Sequence, residues 1–380
     1  MTSTAYRQVI AAPPSERLDL FLTTANRLGT PIGNVEKDFW VCWTLNALYH
    51  ERPDGGPRLL FKGGTSLSKA YNLIERFSED IDVTVFRDDL DEAASVEELE
   101  ALSNKKRRAK LDAIRDACCA YITGPLHEFL GAQLADVTNG AGRVEVDEAD
   151  PDGQTLLVWY PEVEPRDGAY VRPAVRIESG AKSALDPNRP VTIRPYVSEE
   201  AGGLELAIAD VTTIEATRTF WDKVVIAHGL RRWYERRGVL RQEGQRVSRH
   251  YYDLHCLLGS EVGRVALADP KPIPDESRSA SARHVVNASR PGIDHALFRR
   301  DKHNAVSRVL ENRDRTFFRR GEITPRRNGA WLGEAAEQDP AHERETLPRS
   351  HDEKRGHGDG NQTGEEPKVQ ATPLEWNNHD

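Results

Sequence analysis

The chain has 380 residues, 38% of them hydrophobic and 30% charged, with a formal net charge of −9. That is long enough for two ordinary domains, and the acidic balance argues against a protein that coats nucleic acid nonspecifically. No apolar run approaches the ~20 residues of a membrane-spanning helix, and the leading stretch MTSTAYRQVIAAPPSERLD lacks the basic-then-apolar order of a secretory signal, so a cytoplasmic protein is expected.

The segment NVEKDFWVCWTLNALYH (34 to 50) carries Phe39, Trp40, Trp43, Leu45, Leu48 and Tyr49 near helical spacing and predicts an amphipathic helix. ERPDGGP ends it as a loop. RLLF (58 to 61) predicts a short strand, KGGTS a turn, and SLSKAYNLIERF (66 to 77) a second helix. A strand follows in which Ile81, Val83 and Val85 share one face while Asp80, Asp82 and Thr84 share the other. Residues 97 to 130 read as helical, 138 to 156 as loop or hairpin, and 169 to 180 as a strand where Arg176 and Glu178 alternate with Val175 and Ile177. Helices are predicted from Ile214 to about Arg237 and from Ser248 to Leu258, after which the pattern decays. The polar segment from Ala335 onward holds too few large apolar side chains to offset the entropy of ordering and is expected to be disordered. Cys42, Cys118, Cys119 and Cys256 make no CxxC and are expected to stay reduced.

Charge is distributed unevenly. Residues 88 to 100 are acidic, residues 231 to 249 hold seven arginines against two glutamates with Trp233 and Tyr234 among them, and 278 to 327 is basic again. The arginines suit an RNA backbone plus a stacked base, or form one solvated face.

Two adjacent carboxylates repel unless an arginine, a shifted pKa or a divalent cation answers them. Here a double glycine, Gly63-Gly64, follows one strand and opens a helix, where backbone N–H groups can face an anion. Thr65, Ser66 and Ser68 add hydroxyls, and the next strand returns Asp80 and Asp82 beside the turn. A phosphate cradle next to a two-carboxylate metal site is what nucleotide transfer from a triphosphate requires. A two-metal site generally wants a third carboxylate, and Glu178 is the candidate; the alternative is a glutamate paired with Arg176 or Arg172.

The run FKGGTSLSKAYNLIERFSEDIDV (61 to 83) resembles the first motif of the AbiEii/AbiGii toxin nucleotidyltransferases, a branch of the polymerase-β-like superfamily. EKDFW (36 to 40), TFWDK (219 to 223) and SRHYYDL (248 to 254) are similar to further segments of that family, in the expected order, so the resemblance spans about residues 33 to 260. It implies an α/β (α+β) nucleotidyltransferase domain with a mixed sheet over 1 to 210 and a helical domain over 211 to 334, followed by the tail over 335 to 380 whose composition predicts disorder. It implies that Ser78, Asp80 and Asp82 belong to the metal and nucleotide site, that Gly63, Gly64 and Ser66 lie near the phosphates, and that Lys223 and Asp253 complete the active site. Mg²⁺ with an NTP substrate, a tRNA 3′ acceptor end, and a cognate antitoxin protein are what the family implies as cofactor and partners. Beyond about residue 260 the chain does not resemble the family's helical C-terminal portion. From the residues alone, Lys223 lies off the apolar stripe of Phe220, Trp221, Val224 and Val225, to grip a triphosphate or to stand in solvent. Arg249 and Asp253 are four apart and equally suit a helix-surface pair; His250 and His255 lack metal spacing and are expected to be structural. Transfer to a protein or small-molecule hydroxyl, or a catalytically dead binding module, are the alternative functions.

Overall fold

The computed structural model describes residues 4–164, 172–183, 185–238 and 247–268, with two short strands at 324–325 and 331–332. The alternation expected around the aspartates organises the sheet. β1 (Leu59–Lys62) and β2 (Ile81–Val85) pair antiparallel, and β2 pairs parallel with β5 (Ala174–Gly180). The hairpin expected over 138 to 156 is present as β3 (Arg143–Val146) and β4 (Thr155–Trp159), and β4 extends the sheet on the outer side of β5. On the other side β7 (Ile208–Ile214) runs parallel to β1 and antiparallel to β6 (Asn188–Ile193). The result is one mixed seven-stranded sheet in the order β3-β4-β5-β2-β1-β7-β6.

Ile81, Val83 and Val85 of β2 are fully buried together with Leu59, Phe61, Val175 and Ile177 on the same face. Against this face pack α1 (Thr4–Ala11), α2 (Pro14–Leu28) and α3 (Ile32–Asn46), whose Tyr6, Phe21, Phe39, Trp40 and Trp43 fill the core. Phe39 meets Trp40 edge-on at 5.7 Å and Trp40 stacks on Tyr160 at 5.3 Å. The opposite face carries Lys62, Asp82 and Glu178. α8 (Ala216–Arg237), α9 (Val247–Leu258) and α10 (Glu261–Ala268) enclose a separate apolar cluster of Phe220, Trp221, Val224, Leu254 and Leu257, joined by Leu67 and Ile74 from the sheet side.

Several expectations need correction. The helix predicted over 66 to 77 is α4 (Gly63–Lys69): it starts at the glycines and stops early, where the left-handed Asn72 (φ 51°) turns the chain and Leu73 N–H donates to the Leu67 carbonyl. The helical region expected over 97 to 130 is α5 (Val96–Ala101), α6 (Asn104–Tyr121) and α7 (His127–Val137). α6 and α7 are joined by a π-turn at Ile122–Leu126, where Pro125 removes an amide donor. Ile214 ends β7 rather than opening α8, and α10 continues helical order past residue 260. Helices α1 and α2 and strands β6 and β7 had no sequence expectation. The tail expected over 335 to 380 lies outside the described residues. So does the basic stretch 278 to 327, apart from Thr324 and Pro325, which form β8 (Thr324–Pro325) and pair with β9 (Trp331–Leu332). Among the described residues no helix is long and apolar enough to cross a membrane.

Buried ion pairs tie these layers together. Asp38 of α3 accepts from Lys69 Nζ of α4 (2.6 Å) and from the Tyr196 amide (2.7 Å), and both charged side chains are at most 4% exposed. Removing one member strands the other away from water, which costs about 3–5 kcal/mol. Lys69→Met should therefore lower the urea-unfolding free energy by about that amount, whereas Glu261→Ala, breaking the exposed Glu261–Arg264 pair, should change it by ~0.5 kcal/mol or less.

Candidate active site

The site is built from the bend between β1 and α4. Gly63 takes φ +81°, which L side chains rarely adopt, and a Cβ there would fall on the Asp82 carboxylate. At Gly64 a Cβ would lie 2.6 Å from Arg76 Nη2 and 3.1 Å from Ser78 Oγ. The double glycine thus lets three polar side chains close on the backbone. Thr65 Oγ1 stands 2.9 Å from Ser78 Oγ and also donates to the Asp80 carbonyl, fastening the loop before β2 onto α4. Ser66, expected near the phosphates, is fully buried and donates to the Gly63 carbonyl (2.9 Å), so Thr65 is the hydroxyl that joins the Ser78–Asp80 loop.

Register places Lys62, Asp82 and Glu178 in one row across β1, β2 and β5. Asp80 sits one residue before β2. Burial pushes the Asp82 carboxyl up and the nearby Asp80 charge adds to it, against the pull of Lys62. Burial and Glu79 raise Asp80 likewise. Glu178 is pushed up to about 7 by burial and by Asp82, opposed by Arg176. Three acids resisting ionisation on neighbouring central strands and the loop before them are a set of hard oxygen donors short of positive charge. Both readings left open for Glu178 find an observation: it is in register with Asp82, and its Oε1 lies 3.1 Å from Arg176 Nη1. Among the described residues no group of three or more acidic, histidine or cysteine side chains, as they stand, is gathered closely enough to hold a metal ion.

From the helical side, Asp253 is completely buried on α9 and binds two cations: Arg76 Nε and Nη2 (2.7 and 2.8 Å) and Lys223 Nζ (2.8 Å). Burial pushes its carboxyl up, but the Arg76 hydrogen bonds and the Lys223 charge outweigh this and hold it below the usual carboxylate range. Lys223 is 6% exposed and paired, which excludes the solvated lysine, and Asp253 is no surface residue paired only along its own helix. Burial, then the Lys223 charge, holds His250 down at about 4, so a neutral imidazole lies beside this triad. The arginines of the last turns of α8 lie on its more exposed end. Arg237 stacks on Trp233 at 4.1 Å, while Arg231 and Arg232 reach Glu235. Residues 239 to 246 of that cluster lie outside the described residues.

Sequence reasoning missed Arg76, whose partner lies 177 positions away, and the role of EKD at 36 to 38. Glu36 accepts from the Val163 amide (2.7 Å), and Lys37 Nζ pairs with Glu79 (2.8 Å) between Ser78 and Asp80. Asp38 holds Lys69 at the end of α4. Three consecutive charged residues inside an aromatic-rich helix were the available signal, since charges there are rarely buried unpaired.

Two outcomes follow. Gly63→Ala should displace Asp82 and abolish the chemistry of the site, whereas Gly140→Ala, with similar φ (+80°) but open space, should cost only about 1–2 kcal/mol of backbone strain in denaturant unfolding. Glu178 binds its proton more tightly folded (about 7) than unfolded (~4.3), so its contribution to stability falls as pH rises between those values. Glu178→Gln should melt above the wild type at pH 8 in EDTA, and the gap should shrink toward pH 4.5; a gap independent of pH would refute the assignment.

A family model described as nucleotidyl transferase AbiEii toxin, type IV TA system, matches residues 46–348. The match starts after EKDFW and runs well past residue 260, where the motif resemblance was expected to stop. No curated protein matches the chain. Among solved structures it is similar to MenT4, a nucleotidyltransferase toxin from Mycobacterium tuberculosis H37Rv, at 16% identity and a TM-score of 0.36, covering 76% of this chain and 98% of that one. With the family model matched over well more than half of its length, the chain belongs to the AbiEii family, the nucleotidyl transferase toxins of type IV toxin–antitoxin systems.

Proposed function

We propose that the protein transfers a nucleotide from an NTP to the 3′-hydroxyl of a tRNA acceptor end in a Mg²⁺-dependent reaction, as the toxin partner of a cognate antitoxin protein. The observation that carries the reading is the placement of Asp82 in register with Glu178, with Asp80 two residues away, beside a glycine bend that opens a helix. Three carboxylates held above their ordinary range by desolvation and by neighbouring acids are chemically suited to a hard divalent cation, with Asp80 and Asp82 as ligands and Glu178 as the third. When bound, Mg²⁺ would neutralise phosphate oxygens and the charge developing on the leaving group.

The chain's own residues would do the rest. The amides after Gly63 and Gly64 face the phosphates, Lys223 grips the triphosphate and Ser78 positions substrate, while the buried Asp253 pairs with Arg76 and Lys223 and touches no substrate. The 3′-hydroxyl attacks the α-phosphate and pyrophosphate leaves. The sheet half, to about residue 210, would hold the nucleotide, and the helical half from 211 would close the cleft and present the acceptor. Support for an RNA acceptor comes from the end of α8, where Arg231, Arg232, Arg236 and Arg237 face one glutamate, Glu235, with Trp233 and a 39% exposed Tyr234 among them.

Asp80→Asn with Asp82→Asn should reduce transfer by about a thousandfold or more, since metal stabilisation of the transition state is worth several kcal/mol. The circular dichroism spectrum should not change, because removing two crowded charges relieves the strand. Each labelled NTP is incubated with Mg²⁺, total tRNA and cell lysate. Label in the tRNA fraction supports the acceptor, label in protein or small molecules replaces it, and full activity in the double variant sinks the metal site.

A further inference from the structure

Asp253 has more positive charge around it than it needs. Arg76 occupies both of its oxygens as a fork, Lys223 shares Oδ2, and the carboxylate is fully buried, so the group carries one cation in excess. The two cations are held differently. The Arg76 guanidinium is pinned on three sides: Nε and Nη2 bond Asp253, Nη1 donates to the Phe77 carbonyl (3.4 Å), and Nη2 lies against Gly64, where any side chain would strike it. Lys223 offers a point charge on a flexible stem and makes one contact with Asp253, at 2.8 Å.

We infer that Arg76 is a positioning residue: by neutralising Asp253 through both oxygens, it leaves Lys223 free to turn from Asp253 to a nucleotide phosphate. A bidentate arginine satisfies a carboxylate by itself, so the departure of Lys223 leaves no bare buried charge. Without Arg76, Lys223 becomes the sole counterion of a buried carboxylate and is captured by it. The same arginine ties the glycine bend and the loop bearing Ser78 to α9, so the phosphate turn and the lysine are set by one side chain. This inference rests on the proposed reading that Lys223 grips the triphosphate.

The test is equilibrium binding of each of the four NTPs with Mg²⁺ to the full-length protein, with thermal melts alongside. Arg76→Ala should weaken NTP binding about tenfold or more, the scale of one charge-assisted hydrogen bond. Arg76→Lys, which keeps the charge but loses the fork, should fall between that variant and the wild type. The decisive variant is Arg76→Ala combined with Asp253→Asn: removing the trap should restore affinity to within about threefold of the wild type. A merely structural arginine predicts the opposite, because the double variant lacks both halves of the pair and would bind no better than Arg76→Ala. That result, or wild-type affinity in Arg76→Ala, overturns the inference. Should Arg76→Ala not fold, Arg76→Lys with and without Asp253→Asn makes the same comparison. Lys223→Met separates the two levels. If it binds NTP like the wild type, the triphosphate role of Lys223 falls and the inference with it. If it loses binding while the double variant shows no rescue, only the inference falls.

Discussion

The contact between Gly63 and Asp82 is the constraint on which the rest of the site depends. The Asp82 carboxylate lies where a β-carbon of residue 63 would be, and residue 63 also holds a backbone angle open to glycine. Only that pairing lets β1 pass straight into α4 while the first helical amides stay beside the acid on the neighbouring strand. Because Lys62 and Asp82 are register partners, a shift of one residue would move the acids to the apolar face and the valines to the polar one. The bend therefore fixes register and chemistry together.

Around this bend the protein uses buried ion pairs where an ordinary core would use packing. Lys37 with Glu79, Lys69 with Asp38 and Arg76 with Asp253 each join a segment of the site to a different element. Buried pairs contribute little net stability, because desolvation offsets much of the attraction. What they supply is geometry: a carboxylate forked by arginine tolerates far less displacement than a methyl group against a leucine. The segment from Ser78 to Asp80 has no regular secondary structure, and Lys37 and Thr65 hold it where helix or strand hydrogen bonds do not.

The surrounding charge balance has a direction. Asp80, Asp82 and Glu178 are short of positive charge, whereas the Asp253 group has a surplus. The acids thus gather on the sheet and the spare cation on the helices. The two groups act on each other through the field between them: Lys223 and Arg76 both draw the Asp82 carboxyl down, against the burial that raises it.

How much of this was legible in the sequence differs by residue. The alternation of Ile81, Val83 and Val85 with Asp80 and Asp82 decided which face would be buried, since side-chain direction in a strand has a period of two. The run KGGTS marked the turn because glycine alone takes the required angle, and the motif order pointed to the family. The pairing of Asp82 with Glu178 could only be supposed, because nothing local determines which strands become neighbours. The helix predicted over 66 to 77 instead opens at Gly63 and ends at Lys69, so Ser66 lies within its first turns rather than at its start, a boundary that residue spacing alone could not give. The sequence by itself determined periodicity, turn chemistry and the presence of paired acids, all properties of neighbours along the chain. Only the tertiary structure decided that Arg76 meets Asp253 and that Lys223 is buried beside them, because those partners are far apart in sequence and are chosen by which charges burial leaves in need of one another.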